Sequence, residues 1–176
     1  IAGDRGLSGG DNRNVLKLVQ AKIDSCPEAL VLPIGKRALD YCVGHRIPVL
    51  TETYAEAAGV SIGDCFSVAK QLSRGFLNGE YNGIQIAYTN FVSMLSQTPD
   101  TMQLLPLTCD EAMRKNGAES GILYEPSGDE VFASIVPEYL GGILYGTLCE
   151  SRASEQAARR SAMDSATQNA EDMIAD

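Results

Sequence analysis

Four glycines open the chain, Gly3, Gly6, Gly9 and Gly10, and they invite a phosphate-binding interpretation of the run IAGDRGLSGGDNRNV. A glycine turn between strand and helix aims backbone N–H groups at an anion on the helix N-terminus. The spacing is neither GxGxxG nor GxxxxGK followed by Ser or Thr, no Lys follows the last glycine, and Asp11 places a negative charge where a phosphate would sit. The run is therefore expected to be a tight structural turn of Asp4, Arg5, Gly6, Gly9, Gly10 and Asn12, with Asp4 paired to Arg5 and Asn12 capping the next helix. His45, in a Gly-His-Arg loop without a Ser or Cys partner of triad type, reads as a surface histidine. Asp110 with Glu111 and Asp129 with Glu130 suit a metal or glycosidase scheme by residue type, but they fall in a loop or a first helical turn, where carboxylates favour the macrodipole. The five cysteines form no CxxC pair and have one histidine to help them, so they are expected to be reduced thiols filling core space. No catalytic cluster, cofactor site or metal site emerges.

The elements that hold these residues follow from the hydrophobic periodicity. Short apolar runs alternate with amphipathic ones up to residue 125, which predicts an α/β fold of three layers with a mainly parallel sheet. Strands are expected as a stub at Ile1 and at 29–34, 47–51, 84–88, 102–105 and 121–124. Helices are expected from Asp11 or Asn12, burying Val15, Leu16, Val19 and Ile23, then at 36–42, and at 62–77, burying Cys65, Phe66, Ala69, Leu72 and Phe76 before Asn78-Gly79. Beyond residue 127 the pattern is helical, 129–140 with Pro137 and then 143–174. Gly141, Gly142 and Gly146 each cost a helix about 1 kcal/mol against Ala, so a bend or break is expected between the two.

The last segment, SEQAARRSAMDSATQNA, carries an unusual face. Ala158, Ala162, Ala166, Ala170 and Ile174 recur at i+4 with Met163 beside them, giving a thin apolar stripe that lets a second helix come close. No second long helix of matching pattern occurs in the sequence to cover it. A net charge of -9 and the lack of a basic stripe argue against nucleic acid as a partner. No run of 18 apolar residues occurs, so no membrane span is expected. The first residue, Ile1, is not Met and directly precedes a loop-like run, so the N-terminus is expected to be cut.

Three segments together resemble one family. The opening GDRGLSGGDNRNV, with Ser8 where that family commonly has Cys, the middle run TNFVSMLSQTPDTMQLLPL at 89–107, and the closing ESRASEQAARRSAMDSATQNA, with Arg160 where Met is typical, are similar in kind and order to the gamma subunit of F-type ATP synthase. The resemblance covers essentially the whole chain. It implies a non-catalytic central-stalk rotor, with a Rossmann-like domain at 1–140 and, at 141–176, the base of a C-terminal helix that is half of an antiparallel coiled coil. It also implies a helix before Ile1, continuation beyond Asp176, and no coupling of rotation to catalysis by this stretch alone.

The implied partners are the epsilon subunit, the membrane c-ring and the alpha and beta subunits of the catalytic head. Tyr124 and Glu125, in a Tyr-Glu-Pro turn, are the implied ring and epsilon contacts, and Ala158, Ala162, Met163, Ala166, Ala170 and Ile174 form the implied coiled-coil seam. The implied place is peripheral, on the cytoplasmic face of a bacterial plasma membrane, or alternatively on the matrix side of the mitochondrial inner membrane. The competing expectations are a free-standing α/β domain that binds a nucleotide or other small molecule through the turn between Gly3 and Asn12, and an adaptor that dimerises through its last helix.

Overall fold

Helix α1 (Asp11–Ser25) starts where Asp11 and Asn12 offer helix-opening residues, and it buries Val15 almost completely while Leu16, Val19 and Ile23 are half-buried. A computed structural model describes residues 1–6, 11–107, 125 and 127–175. After α1 come α2 (Lys36–Gly44), a single 3-10 turn (Ala57–Gly59), α3 (Ile62–Leu77), strands β1 (Ile84–Ser93) and β2 (Ser96–Leu105), and α4 (Gly128–Ala175). The chain divides into two compact units, one of Ile1–Val60, Ala87–Thr101 and Gly146–Asp176, the other of Ser61–Ile86 and Met102–Tyr145.

In the first unit the expected parallel strands are present only in rudiment. Ala2 donates to the Ile34 carbonyl at 3.0 Å, Val31 to Pro48 at 3.1 Å and Leu50 to Val31 at 2.8 Å, but the sole product is an isolated parallel bridge between Val31 and Val49. The one sheet among the described residues is the antiparallel pair β1-β2. Prolines limit the ladder: Pro33 and Pro48 have no N–H to donate, so each removes a rung. Both strands of the hairpin run farther than the expected 84–88 and 102–105, because Thr, Gln and Ser continue the extended backbone with one half-buried face. The 121–124 strand lies outside the described residues. Helix α2 lies against α1, with the Tyr41 hydroxyl donating to Gln20 Oε1 at 3.0 Å and Cys42 buried beneath. Burial pushes the Cys42 thiol up, which keeps it protonated and inert. Cys65 is also buried, whereas Cys26 and Cys149 are exposed, so only part of the cysteine set fills the core; Cys109 lies outside the described residues.

The second unit is organised by α3. Ser61 caps it, its hydroxyl accepting from the Asp64 N–H at 3.2 Å, while Asp64 Oδ2 accepts from the Ser61 N–H at 2.8 Å and the Ser61 hydroxyl at 2.6 Å. Gly79, at φ 75°, closes the helix in the left-handed region that Asn78-Gly79 foretold. Cys65, Val68 and Ala69 from α3, Ile86 from β1, Leu104 and Leu105 from β2, and Leu140 and Leu144 from α4 are among the buried residues of this unit.

Helix α4 corrects the expectation of a break. It runs unbroken for 48 residues through Pro137, Gly141, Gly142 and Gly146. Packing overrides propensity here, because a Cβ on Gly141 would overlap the Phe66 ring, so this glycine admits a close contact that offsets its cost to the helix. Within Glu130–Ala175 one 18-residue window, with mean hydropathy 1.3, is long and apolar enough to cross a membrane by length and composition. That contradicts a count of uninterrupted apolar runs, because the window tolerates Pro137, Glu138 and the glycines. Glu138 is ion-paired to Lys70 at 3.4 Å, and Leu140, Leu144 and Leu148 are buried within the protein.

Replacing fully buried Leu148 by Ala should lower stability by about 3 kcal/mol in urea titrations, whereas Leu95→Ala at the exposed hairpin turn should stay within about 0.5 kcal/mol of the parent. The Ser61 hydroxyl, then its N–H, hold the Asp64 carboxyl below its ordinary range. A lowered folded-state value means that this contribution is complete above the unfolded carboxyl pKa of about 3.9 and is lost as pH falls through the folded value. Asp64→Asn should therefore flatten this part of the stability profile below about pH 4 in acid melts followed by circular dichroism.

Candidate functional site

The opening turn and the middle of α4 meet through polar groups, all within the first unit. Asp4 stands at the centre of the turn. Its Oδ1 accepts from the Lys36 N–H at 3.1 Å and the Ala57 N–H at 2.8 Å, and its Oδ2 accepts from the Ala58 N–H at 2.8 Å. One carboxylate thereby satisfies the orphan donors at the start of α2 and of the 3-10 turn, two positions where a helix carries partial positive charge. Asp4 is thus engaged by backbone donors rather than by the expected Arg5 partner. Asn12 reaches back into the turn, its Oδ1 accepting from the Gly3 N–H at 2.6 Å and its amide donating to the Arg5 carbonyl at 3.5 Å. Arg37 extends its guanidinium over Gly6, close enough that a Cβ there would meet Nη2. Gly9 and Gly10 lie outside the described residues.

From the other side comes Glu155, 7% exposed. Its Oε1 accepts from the Arg5 N–H at 3.0 Å and from Arg159 Nη2 at 2.7 Å, and its carboxylate lies where a Cβ on Gly3 would sit. Glycine at position 3 is therefore required by close approach. One turn earlier on α4 the Ser151 hydroxyl accepts from the Thr89 N–H at 3.1 Å, and the fully buried hydroxyl of Ser154, next to Glu155, donates to the Thr89 carbonyl at 3.5 Å. Both main-chain groups of a β1 residue are thus taken by helix side chains. The hydroxyls occupy the edge positions that another strand would fill, just after Ala87 accepts from the Ile1 nitrogen at 2.7 Å. Tyr88, buried beside them, has its phenol pushed up by burial first and then by the negative charges of Asp100 and Glu150.

Sequence reasoning found the turn but missed Ser151, Ser154 and Glu155 as its counterpart. The available signal was a polar row at i, i+3 and i+4 in ESRASE, set against the more conspicuous alanines. The alanine row continues directly from Ser154: Ala158 and Ala162 are half-buried, while Met163, Ala166, Ala170 and Ile174 are exposed. Arg160, paired to Asp164 at 3.8 Å, is exposed. Glu125 is exposed, and Tyr124 lies outside the described residues. Among the described residues no group of three or more His, Cys, Asp or Glu side chains is placed to hold a metal ion. The arrangement is mechanical in character, a long helix fixed to a turn and a strand by directional bonds.

A long continuous helix bonded in this way to a turn and a strand defines a class of helix-bearing α/β proteins without a catalytic cluster among the described residues, and comparison with known proteins narrows the class. The family model described as ATP synthase matches residues 1–176, and the chain belongs to that family. It is 40% identical over 178 residues to the ATP synthase gamma chain of Ruminococcus albus, covering 99% of this chain and 62% of that protein. It is 35% identical over 195 residues to the sodium ion specific ATP synthase gamma chain of Acetobacterium woodii, covering 99% of this chain and 63% of that protein. The chain thus spans less than two thirds of the length of these relatives. Among solved structures it resembles the central stalk and c-ring of the Tetrahymena thermophila mitochondrial ATP synthase, with TM-score 0.71, 22% identity, and coverage of 95% of this chain and 74% of that one. The rotor of the Euglena gracilis mitochondrial ATP synthase aligns with TM-score 0.64 at 18% identity, covering 98% of this chain and 67% of that one. At these identities the structural likeness establishes the fold.

Asp4→Ala should lower stability by about 2 kcal/mol, since the part-buried Ala57 N–H loses a charged acceptor and the exposed donors turn to water. Asp4→Asn should recover part of that loss by retaining Oδ1 for Lys36 and Ala57. Urea titration of the three proteins checks the order.

Proposed function

We propose that this chain is the body and stalk base of a gamma-type rotor, which turns with a membrane ring and drives the catalytic head of an ATP synthase through its binding states. The supporting observation is the match of 99% of the chain to gamma chains, joined to a 48-residue helix keyed into a folded body. In this role the chain makes and breaks no bonds of ATP. Residues 1–140 form the Rossmann-like body, and the hydrogen bonds of Ala2, Val31 and Leu50 are consistent with a rudimentary parallel sheet extended by β1 and β2. Residues 141–176 form the base of the stalk helix.

The stripe of Ala158, Ala162, Met163, Ala166, Ala170 and Ile174 is the seam for the second helix of an antiparallel coiled coil. Exposed Phe132, Ile135 and Tyr139, on one face of the same helix, are consistent with further cover in the assembly. Tyr124 and Glu125 meet the epsilon subunit and the c-ring, and the coiled coil meets the alpha and beta subunits. The protein acts as a peripheral subunit on the cytoplasmic face of a bacterial plasma membrane. The nucleotide-binding alternative gains no support from the relatives, and two N–H groups of the turn, those of Gly3 and Arg5, are already taken by Asn12 and Glu155.

The full-length protein containing these residues, assembled with its alpha, beta and epsilon subunits and carrying a bead on the body, should rotate when ATP is supplied. A bead that stays still while the complex hydrolyses ATP would contradict the proposal. Within that complex, Glu125→Lys should weaken epsilon binding about tenfold, read by titration with labelled epsilon subunit.

A further inference from the structure

Ordinary helix packing is apolar and non-directional, so a helix held that way can turn or slip by one turn onto a similar set of contacts. The face that α4 presents to the body is different. Thr147, Ser151, Ser154 and Glu155 are all buried polar residues, and three of them bond to main-chain groups of Thr89 and Arg5. Main-chain partners do not move with side-chain rotamers, and each bond has a required distance and angle. A shift of α4 by one residue or one turn would leave the buried Thr89 N–H and C=O without partners, would strip the part-buried Arg5 N–H of its carboxylate, and would bring a different side chain onto Gly3, where the glycine leaves room for the Glu155 carboxylate.

We propose that Ser151, Ser154 and Glu155 form a rotational lock that fixes the angle and axial register of the stalk helix on the body, so that torque passes between them without slip. The proposal rests on the rotor function above and adds the residues through which the load travels. Arg159 is part of the lock at one remove, holding Glu155 Oε1 from the outside while Arg5 holds it from within. The alanine row continues along the same helix, so the lock also sets the direction in which the seam faces. Without it the helix would still be helical and still bury Leu148 and Ala157, but its angle would be defined only by shape.

The test uses the full-length chain in the assembled, membrane-reconstituted complex, with three variants: Ser151→Ala combined with Ser154→Ala, the isosteric Glu155→Gln, and Ser151→Thr as the hydroxyl-retaining control. ATP hydrolysis, transport of the coupling ion and yield of assembled complex are measured on each. Loss of one hydrogen bond of ordinary net strength raises the unlocked population about tenfold. Under load this should lower ions moved per ATP in the first two variants, with hydrolysis and assembly close to the parent and Ser151→Thr restored. An unchanged ratio of transport to hydrolysis in both variants would overturn the lock, as would a parallel fall of transport, hydrolysis and yield, which marks a role in folding alone. A parent complex that hydrolyses ATP without rotating would remove the rotor function and the lock together, and is told apart by measuring the parent first.

Discussion

The rest of the first unit depends on how a buried carboxylate, Glu155, is compensated. A carboxylate with 9% of its side chain exposed is costly unless charge and hydrogen-bonding needs are both met. Arg159, four residues on, supplies the charge from the same helix, so it adds no long-range ordering cost. The Arg5 N–H supplies the second bond from 150 residues away in sequence, and that bond ties the turn to the helix. Gly3 completes the arrangement by having no side chain. Once Glu155 is placed, Ser154 just before it and Ser151 one turn earlier fall on the same side of the helix, opposite Thr89, and Ala158 follows one turn later.

The turn itself extends this order to the other elements of the unit. Asp4 caps the starts of two helical segments with one side chain, so α2 and the 3-10 turn are positioned relative to the same atom pair that sits next to the Glu155 contact. Gly35 contributes in the same way: at φ 97° and with the Ala2 carbonyl oxygen where a Cβ would sit, it tolerates no side chain. The opening segment, α2 and α4 are thus joined by close main-chain approaches that only glycine allows and by carboxylates that accept from the main chain. Such contacts specify geometry more sharply than apolar area does.

Much of the helical architecture was legible in the residues. The α3 bounds of 62–77, the Asn78-Gly79 stop and the start of α1 followed from periodicity and capping chemistry, which act locally. The sheet was less legible because Pro33 and Pro48 erode a parallel ladder without altering the apolar pattern that suggests one. The continuity of α4 was hidden for a different reason: Gly141 looks like a break until Phe66 is seen on it, and that contact is 75 residues distant. Ser151, Ser154 and Glu155 were missed because nothing in a helical polar row announces that it is buried. The alanine stripe was visible in the sequence, and its residues Met163, Ala166, Ala170 and Ile174 are exposed on the helix. The rotor function proposed above connects these pieces, since a rotor needs a long rigid helix whose angle on its body is fixed.

The central claim is that α4 is held to the turn and to β1 by hydrogen bonds to the Arg5 and Thr89 amides. Residue-resolved hydrogen exchange on the protein in native buffer tests it most directly. The account predicts that both amides exchange only through global unfolding, as slowly as the amides around Leu148, although neither is bonded to a helix or strand backbone at these contacts. Exchange of either amide at the rate of an open loop would contradict it.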